Sequence, residues 1–177
     1  HSHTRYYGGN GQLYISTHVG YYELINGMDR LPVNPPSGYK LYPGGHILSY
    51  DLQTRAFENL ALVPNGEGVV SMTADRDRGH IFGISWPKGN FIHYDIDKNE
   101  LKDLGRTSGN GEGGEPGDDF RSLCRSLVVD PSDGTVYFST SEGDIFSYNP
   151  EVGQINKLEN VNLRLDYFGK YDPTRPG

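Results

Sequence analysis

The chain has 177 residues, of which 34% are hydrophobic, and a net charge of −7. This length allows one domain with its own core. The negative charge argues against general binding to nucleic acid, which needs a basic surface, and no apolar run approaches the roughly 20 residues of a membrane span. The 24 glycines, 11 prolines and 13 tyrosines suit an all-β protein with many turns. The single cysteine, Cys124, can form no internal disulfide and is predicted to be buried.

A four-strand pattern recurs three times along the chain. Its third strand starts at a glycine and ends in Tyr-Asp or Tyr-Asn, with the tyrosines at positions 50, 94 and 148, and a turn and a fourth strand follow. Upstream of each lies another glycine-led strand, within 11–17, 79–85 and 134–140. Four short antiparallel strands, here called a to d, repeating at roughly 45 to 55 residues are typical of β-propeller blades.

The pattern therefore predicts an all-β fold with about three four-stranded propeller blades. Blade one covers about 1–63 with an insertion at 18–44, blade two about 69–107 and blade three about 121–161. Residues 162–177 would lead toward a next blade. Since propellers close with about four to eight blades, we expect a larger ring, completed by further blades or by another chain.

These repeats resemble the broad superfamily of kelch-, quinoprotein- and YVTN-type propellers over essentially the whole chain. The resemblance rests on the Tyr-Asp or Tyr-Asn pair, the turn and the strand that follow it. The sequence has neither the WD dipeptide of the WD40 class nor the tryptophan-docking pattern of pyrroloquinoline-quinone enzymes. The resemblance therefore implies an architecture and leaves the function open.

Two insertions interrupt the regular spacing of the repeat. The glycines that start strands b and c are 10 residues apart in blade two and 9 in blade three, but 34 in blade one, from Gly11 to Gly45. The second insertion, within 108–120, precedes blade three. In a propeller the b–c and d–a connections open on the same face, so both insertions are predicted around the mouth of the channel. Long loops on a rigid scaffold often carry binding or catalysis.

Polar and aromatic residues from several stretches are predicted to meet at this mouth. The catalytic candidates are His3, Arg5, His18 and Tyr22, and the substrate-binding candidates are His46, Trp86, Arg121 and Arg125. Such residues suit β-elimination at a uronic acid, in which His or Tyr moves the proton and Arg stabilises the carboxylate. The residue types resemble those of propeller polysaccharide lyases of the oligogalacturonate and ulvan lyase type, whose motifs are not matched residue by residue. The resemblance implies a polyuronide lyase or a sugar-binding relative, with an acidic oligosaccharide as ligand. A periplasmic or secreted location is favoured because Tyr- and Gly-rich propellers with inserted loops are frequent outside the cytoplasm.

Other chemistries fit parts of the same set. His3, His18 and His46 are candidate ligands of a divalent metal, although they lack the close spacing of common metal motifs. The acidic loop around Asp118 and Asp119 could supply a glycosidase carboxylate or bind Ca²⁺. The competing hypothesis is a non-catalytic scaffold that holds a protein partner on the inserted face.

Two further histidines lie inside blade two. His93 stands on strand c, where both sister blades have a serine, and the position predicts a packing or surface role. His80 follows the glycine that starts strand b, where exposure is expected. We assign no catalytic role to either residue from the sequence.

Overall fold

The computed structural model describes most of the chain. The described residues are 2–7, 9, 11–18, 23–25, 28–30, 37–38, 42–107, 123, 126–140 and 142–163, of which 2–7, 23–25 and 28–30 are described by their backbone only. In these ranges the protein is all-β, with three four-stranded antiparallel sheets and one two-stranded hairpin. No helix in the described ranges is long and apolar enough to cross a membrane.

Each four-stranded sheet is an antiparallel meander in which neighbours in space follow the same order as the four repeated strands. The first sheet contains β1 (Ser2–Tyr7), β2 (Gln12–Thr17), β5 (His46–Asp51) and β6 (Phe57–Leu62). The second contains β7 (Gly68–Asp75), β8 (His80–Trp86), β9 (Asn90–Asp95) and β10 (Glu100–Arg106). The third contains β11 (Leu127–Val129), β12 (Val136–Ser139), β13 (Asp144–Asn149) and β14 (Gln154–Asn162).

The three sheets stack in series through two apolar layers. Along β9, Phe91 points into the layer shared with the third sheet, whereas Ile92 points into the layer shared with the first. Both side chains are at most 1% exposed, because successive residues of a strand point to opposite faces. The first strands, β1, β7 and β11, also contact one another in series. Such stacked meanders are the arrangement of propeller blades, and the sheets are named blades one, two and three.

The first insertion contains a secondary structure element of its own. Between β2 and β5, strands β3 (Glu23–Ile25) and β4 (Met28–Arg30) form an antiparallel hairpin. The sequence predicted the insertion but not this hairpin, because three-residue strands carry too few residues for an alternating pattern.

The a–b turns of neighbouring blades are joined at one end of the sheets. Asp75 accepts hydrogen bonds from the backbone of Asp77 and Arg78 within its own turn. Arg78 donates to Asp75 at 3.0 Å and to the carbonyl oxygen of Ser132 in blade three at 3.1 Å. This arginine therefore links blade two to blade three at the end opposite the insertions.

Candidate functional site

Four connections between strands meet at the other end of the sheets. They are the end of the first insertion, the link from blade one to blade two, the b–c turn of blade two and the start of the second insertion. The backbone N–H of Lys88, in the b–c turn of blade two, donates to the Glu67 carboxylate at 2.9 Å. The N–H of Gly45, at the end of the first insertion, donates to the Glu67 carbonyl at 2.7 Å. Thr107, where the second insertion begins, donates to the carbonyl of Gly89. We call this end, marked by these five residues, the mouth face, and both insertions start or end on it.

The two ends of the first insertion are fastened to each other. The Tyr42 hydroxyl donates to the carbonyl of His18 at 2.6 Å, and the His46 N–H donates to the Thr17 hydroxyl oxygen at 2.7 Å. Burial raises the pKa of Tyr42, partly opposed by its hydrogen bond with Thr17, so the phenol stays protonated and able to donate. The insertion therefore leaves and rejoins the blade at one closed base.

An aromatic contact fixes this base to blade two. The His18 ring meets the Trp86 ring edge-on, with centroids 4.9 Å apart and planes at 83°. The two residues are 8% and 3% exposed. A side chain at Gly68 would collide with the His18 ring, and one at Gly45 would collide with the Thr17 carbonyl. Glycine at both positions thus allows the insertion to lie directly on blade two.

A buried carboxylate organises the neighbouring turn. Glu67 is only 2% exposed, and its Oε2 accepts hydrogen bonds from the Ser85 hydroxyl at 3.0 Å and from the Lys88 N–H at 2.9 Å. The Ser85 oxygen accepts in turn from the N–H of Asn90 at 3.0 Å. A buried carboxylate is tolerated when donors satisfy it in this way. Glu67 therefore holds both sides of the turn that follows Trp86.

The Lys88 side chain is the exposed cation of this arrangement. Its ammonium lies 3.8 Å from Glu67 Oε1, and the side chain is 49% exposed. This distance exceeds the usual range of a direct N–H···O hydrogen bond, about 2.7 to 3.2 Å. Lys88 is therefore held by Glu67 through its backbone and through a long ion pair, and about half of its side chain is accessible at the mouth.

Three residues assigned from the sequence are described with their side chains. His18 and Trp86 come together in the edge-on contact, where both rings are buried. His46 starts β5 and places its Nδ1 3.0 Å from the side-chain oxygen of Asn59 on β6. Trp86 therefore packs against His18 at the base of the insertion. Its ring is buried, so a sugar has no open face on which to stack.

The other assigned residues are described only in part or not at all. His3 and Arg5 lie on β1, where Arg5 pairs with Ile15 of β2, and their side chains are outside the description. Tyr22, Arg121 and Arg125 lie outside the described residues. Their roles stay predictions.

The proposed histidine metal set is only partly visible. His18 packs on Trp86 and His46 bonds Asn59, while the side chain of His3 is not described. Among the residues with described side chains, no three His, Cys, Asp or Glu residues are grouped as a metal site requires.

Sequence reasoning overlooked the residues that hold the mouth together, namely Glu67, Ser85 and Tyr42. A weak signal exists for the first: Glu67 stands between two glycines directly before the apolar start of β7. A charged residue at the edge of a buried strand needs donors nearby, but the sequence does not indicate which turn supplies them.

Comparisons with known proteins support the fold. No family model matches the chain, and no curated protein matches it. The chain is similar to a solved structure of a nidogen/laminin complex, with 13% identity, a TM-score of 0.50, and 86% of this chain and 46% of that chain covered. It is also similar to an auxiliary nutrient binding protein from Bacteroides thetaiotaomicron, with 12% identity, a TM-score of 0.50, and 91% and 32% covered. The chain thus spans less than half the length of either structure, and the likeness concerns the propeller-like all-β fold alone.

Proposed function

We propose that this protein is a ligand-binding propeller that holds an acidic carbohydrate on its mouth face. The observation that carries the proposal is the closed base of the first insertion, where Tyr42 bonds His18 and His18 packs on Trp86. Loops on a fixed base present their side chains in a defined geometry, which favours binding. The nutrient-binding description of the Bacteroides structure supports a binding role for a protein of this fold.

The cations at the mouth favour an acidic ligand. Lys88 has a half-exposed side chain there, with its ammonium 3.8 Å from Glu67. The sequence adds Arg5, Arg121 and Arg125 to stretches predicted at the same face. Arginine pairs with carboxylates through two parallel hydrogen bonds, whereas lysine acts as a point charge. A polyuronide carries a carboxylate on every sugar and suits such a set. A periplasmic or secreted location is part of this proposal.

Catalysis by β-elimination is the finer proposal, and the visible geometry favours binding over it. A general base must reach the proton that it removes, and the His18 ring is buried against Trp86. A polyuronide lyase would therefore depend on His3, Arg5 and Tyr22. Cleavage is the test of this finer proposal.

Further blades, from a longer polypeptide or a second chain, are proposed to complete the ring. On β11, Leu127 and Val129 pack against the core between blades two and three, whereas Val128 between them is 62% exposed. Since alternate residues of a strand face opposite sides, Val128 is an exposed apolar residue on the outer face of blade three, beside Tyr137 of β12. Another sheet would bury this face as blade three buries one face of blade two.

The second candidate function is a protein-interaction scaffold that uses the inserted face. In the described part of the insertion, β3 and β4 pair only with each other, so each strand has an edge at which a partner strand could add. A propeller-like chain in the nidogen/laminin complex is compatible with this alternative.

Titration calorimetry with oligogalacturonate, and with a neutral oligosaccharide of equal length, tests the proposal. We expect binding of the acidic ligand, and Lys88→Gln should weaken it about tenfold, equivalent to about 1.4 kcal/mol. Lys102→Gln is the matched control, since Lys102 is similarly exposed (44% against 49%) but lies on the outermost strand of blade two. Equal binding of both ligands, or no effect of Lys88→Gln, would contradict an acidic ligand at the mouth.

Absorbance of the unsaturated product in the same samples separates lyase from binding protein. Binding without product supports the binding proposal, and product formation supports the lyase. If the protein neither binds oligogalacturonate nor forms product, and a protein partner is captured through the insertion, the scaffold function is favoured.

A further inference from the structure

A buried histidine lies at the seam between blades two and three, which is lined by Phe82, Phe91, Phe138 and Tyr148. His93 is 2% exposed. Its Nδ1 lies 3.1 Å from the Tyr148 hydroxyl of blade three, and its Nε2 lies 3.0 Å from Nδ1 of His80. The three side chains therefore form a hydrogen-bonded chain from the partly exposed His80 to a buried tyrosine of the next blade.

The hydrogen-bonded series His80–His93–Tyr148 accepts one proton without losing a hydrogen bond. A neutral imidazole has one donor and one acceptor nitrogen, and a protonated one has two donors. When His80 is protonated it donates to Nε2 of His93, and the Nδ1–H of His93 then donates to the Tyr148 oxygen. A second proton, on Nε2 of His93, makes that nitrogen and the facing Nδ1 of His80 both hydrogen-bond donors. The bond between the histidines is then lost, and a charge is left at the seam.

The surroundings oppose that second proton. The titratable and charged groups that face His93 are His80 on β8, Asp95 and Lys98 at the c–d turn, Lys102 on β10 and Tyr148 on β13. Burial, followed by the charge of His80, lowers the pKa of His93 from 6.5 to about 4, although Asp95 acts in the opposite direction. Burial also raises the pKa of Tyr148, so the phenol keeps its proton.

We propose that the chain His80–His93–Tyr148 is an acid-sensitive lock that joins blades two and three at neutral pH and opens when both histidines are protonated. Trp86 belongs to the same apolar cluster as Tyr148 and Phe138. Opening the seam would therefore loosen the support of the first insertion as well. The lock is independent of what the mouth face binds.

The pH range over which the lock loses stability follows from the lowered pKa of His93. Because the folded chain lowers the affinity of His93 for a proton, the unfolded chain binds more protons between about pH 6.5 and 4. The stabilisation is complete above about pH 6.5 and is lost as the pH falls toward 4. From pH 7.5 to 5, His93 alone should raise the unfolding equilibrium constant roughly 30-fold.

Urea unfolding of the full chain and of His93→Gln at several pH values tests the lock. Glutamine keeps a donor and an acceptor but does not titrate, so the change between pH 7.5 and 5 should be roughly 30-fold smaller in this variant. His46→Gln replaces a partly exposed histidine of blade one and should keep the full change. An equal change in the chain with its native His93 and in His93→Gln would overturn the lock.

Two readouts need no variant. In NMR spectra of the full chain, the His93 imidazole should stay neutral at pH 5. As the pH is lowered, the protection of backbone amides relative to their intrinsic exchange rate should fall along β11 to β14 before it falls along β1, β2, β5 and β6. An imidazole that titrates near pH 6.5 without an earlier loss of amide protection in blade three would overturn the proposal even if His93→Gln does not fold.

Discussion

Phe91 and Phe138 stack across the seam between blades two and three, with ring centroids 4.5 Å apart and planes at 14°. Phe91 is fully buried, so Phe91→Ala removes a large apolar group and leaves a cavity between two sheets. We expect a loss of about 3–5 kcal/mol in the free energy of unfolding, measured by urea denaturation. Phe57→Ala is the control, because Phe57 is 65% exposed, and it should cost less than about 1 kcal/mol. Similar losses in both variants would show that the blades do not pack through this layer.

Glu67→Gln should destabilise the mouth face although the side chain keeps its size. Ser85 and Lys88 both donate to Oε2, so a glutamine oxygen could still accept from both, but these bonds would lose the carboxylate charge that strengthens them. The amide NH2 would also take the place of Oε1, which lies 3.8 Å from the Lys88 ammonium. We expect a loss of about 1–3 kcal/mol in the free energy of unfolding. Glu151→Gln changes an exposed carboxylate and should be nearly neutral. A neutral Glu67→Gln would mean that the carboxylate does not organise the turn.

His18→Ala should loosen the first insertion without unfolding the blades. The variant removes the ring that packs on Trp86, whereas the bond from Tyr42 to the backbone of residue 18 can still form. Limited proteolysis should cut within 19–41 several-fold faster than in the unmodified chain. His46→Ala is the control, since that ring bonds Asn59 on the outer strand. Unchanged cleavage in His18→Ala would contradict the anchoring role.

The ion pair of Asp95 and Lys98 predicts a loss of stability at low pH that is separate from that of His93. Burial would raise the pKa of Asp95, but hydrogen bonds from the ammonium (2.6 Å) and backbone N–H (3.0 Å) of Lys98 outweigh it and lower the pKa to about 2. Stabilisation from this carboxylate is therefore present above its ordinary value of 3.8 and is lost as the pH falls through about 2.

Lys98→Met tests this effect by removing the ammonium. The pKa of Asp95 should rise, as followed by NMR titration of its carboxyl carbon, whereas Lys102→Met should leave that carboxyl much less affected. An unchanged titration in Lys98→Met would show that the backbone and not the ammonium sets the pKa.

The repeat could be predicted from the sequence because each third strand has a tyrosine as its last residue but one, in the same register. Tyr94 and Tyr148 are both 2% exposed, each in one of the two apolar layers. Alternation along a strand fixes which residues share a face, and glycine spacing located the insertions. The three sheets and their strand order followed from these two patterns.

The site was less predictable because burial depends on the neighbouring sheet. Trp86 was expected to contact a sugar, yet blade three and His18 cover its ring. His93 was assigned only a packing or surface role, because nothing within blade two indicates that Tyr148 lies across the seam. Local periodicity gives the face of a strand but not the identity of the residue opposite.

Amide hydrogen exchange with and without oligogalacturonate tests the central claim most directly. We predict that the ligand protects backbone amides near His18, in 42–46 and in 86–90, while the a–b turns at 75–79 and 130–134 stay unchanged. Protection confined to those turns, or binding with no protection at the mouth face, would contradict the account.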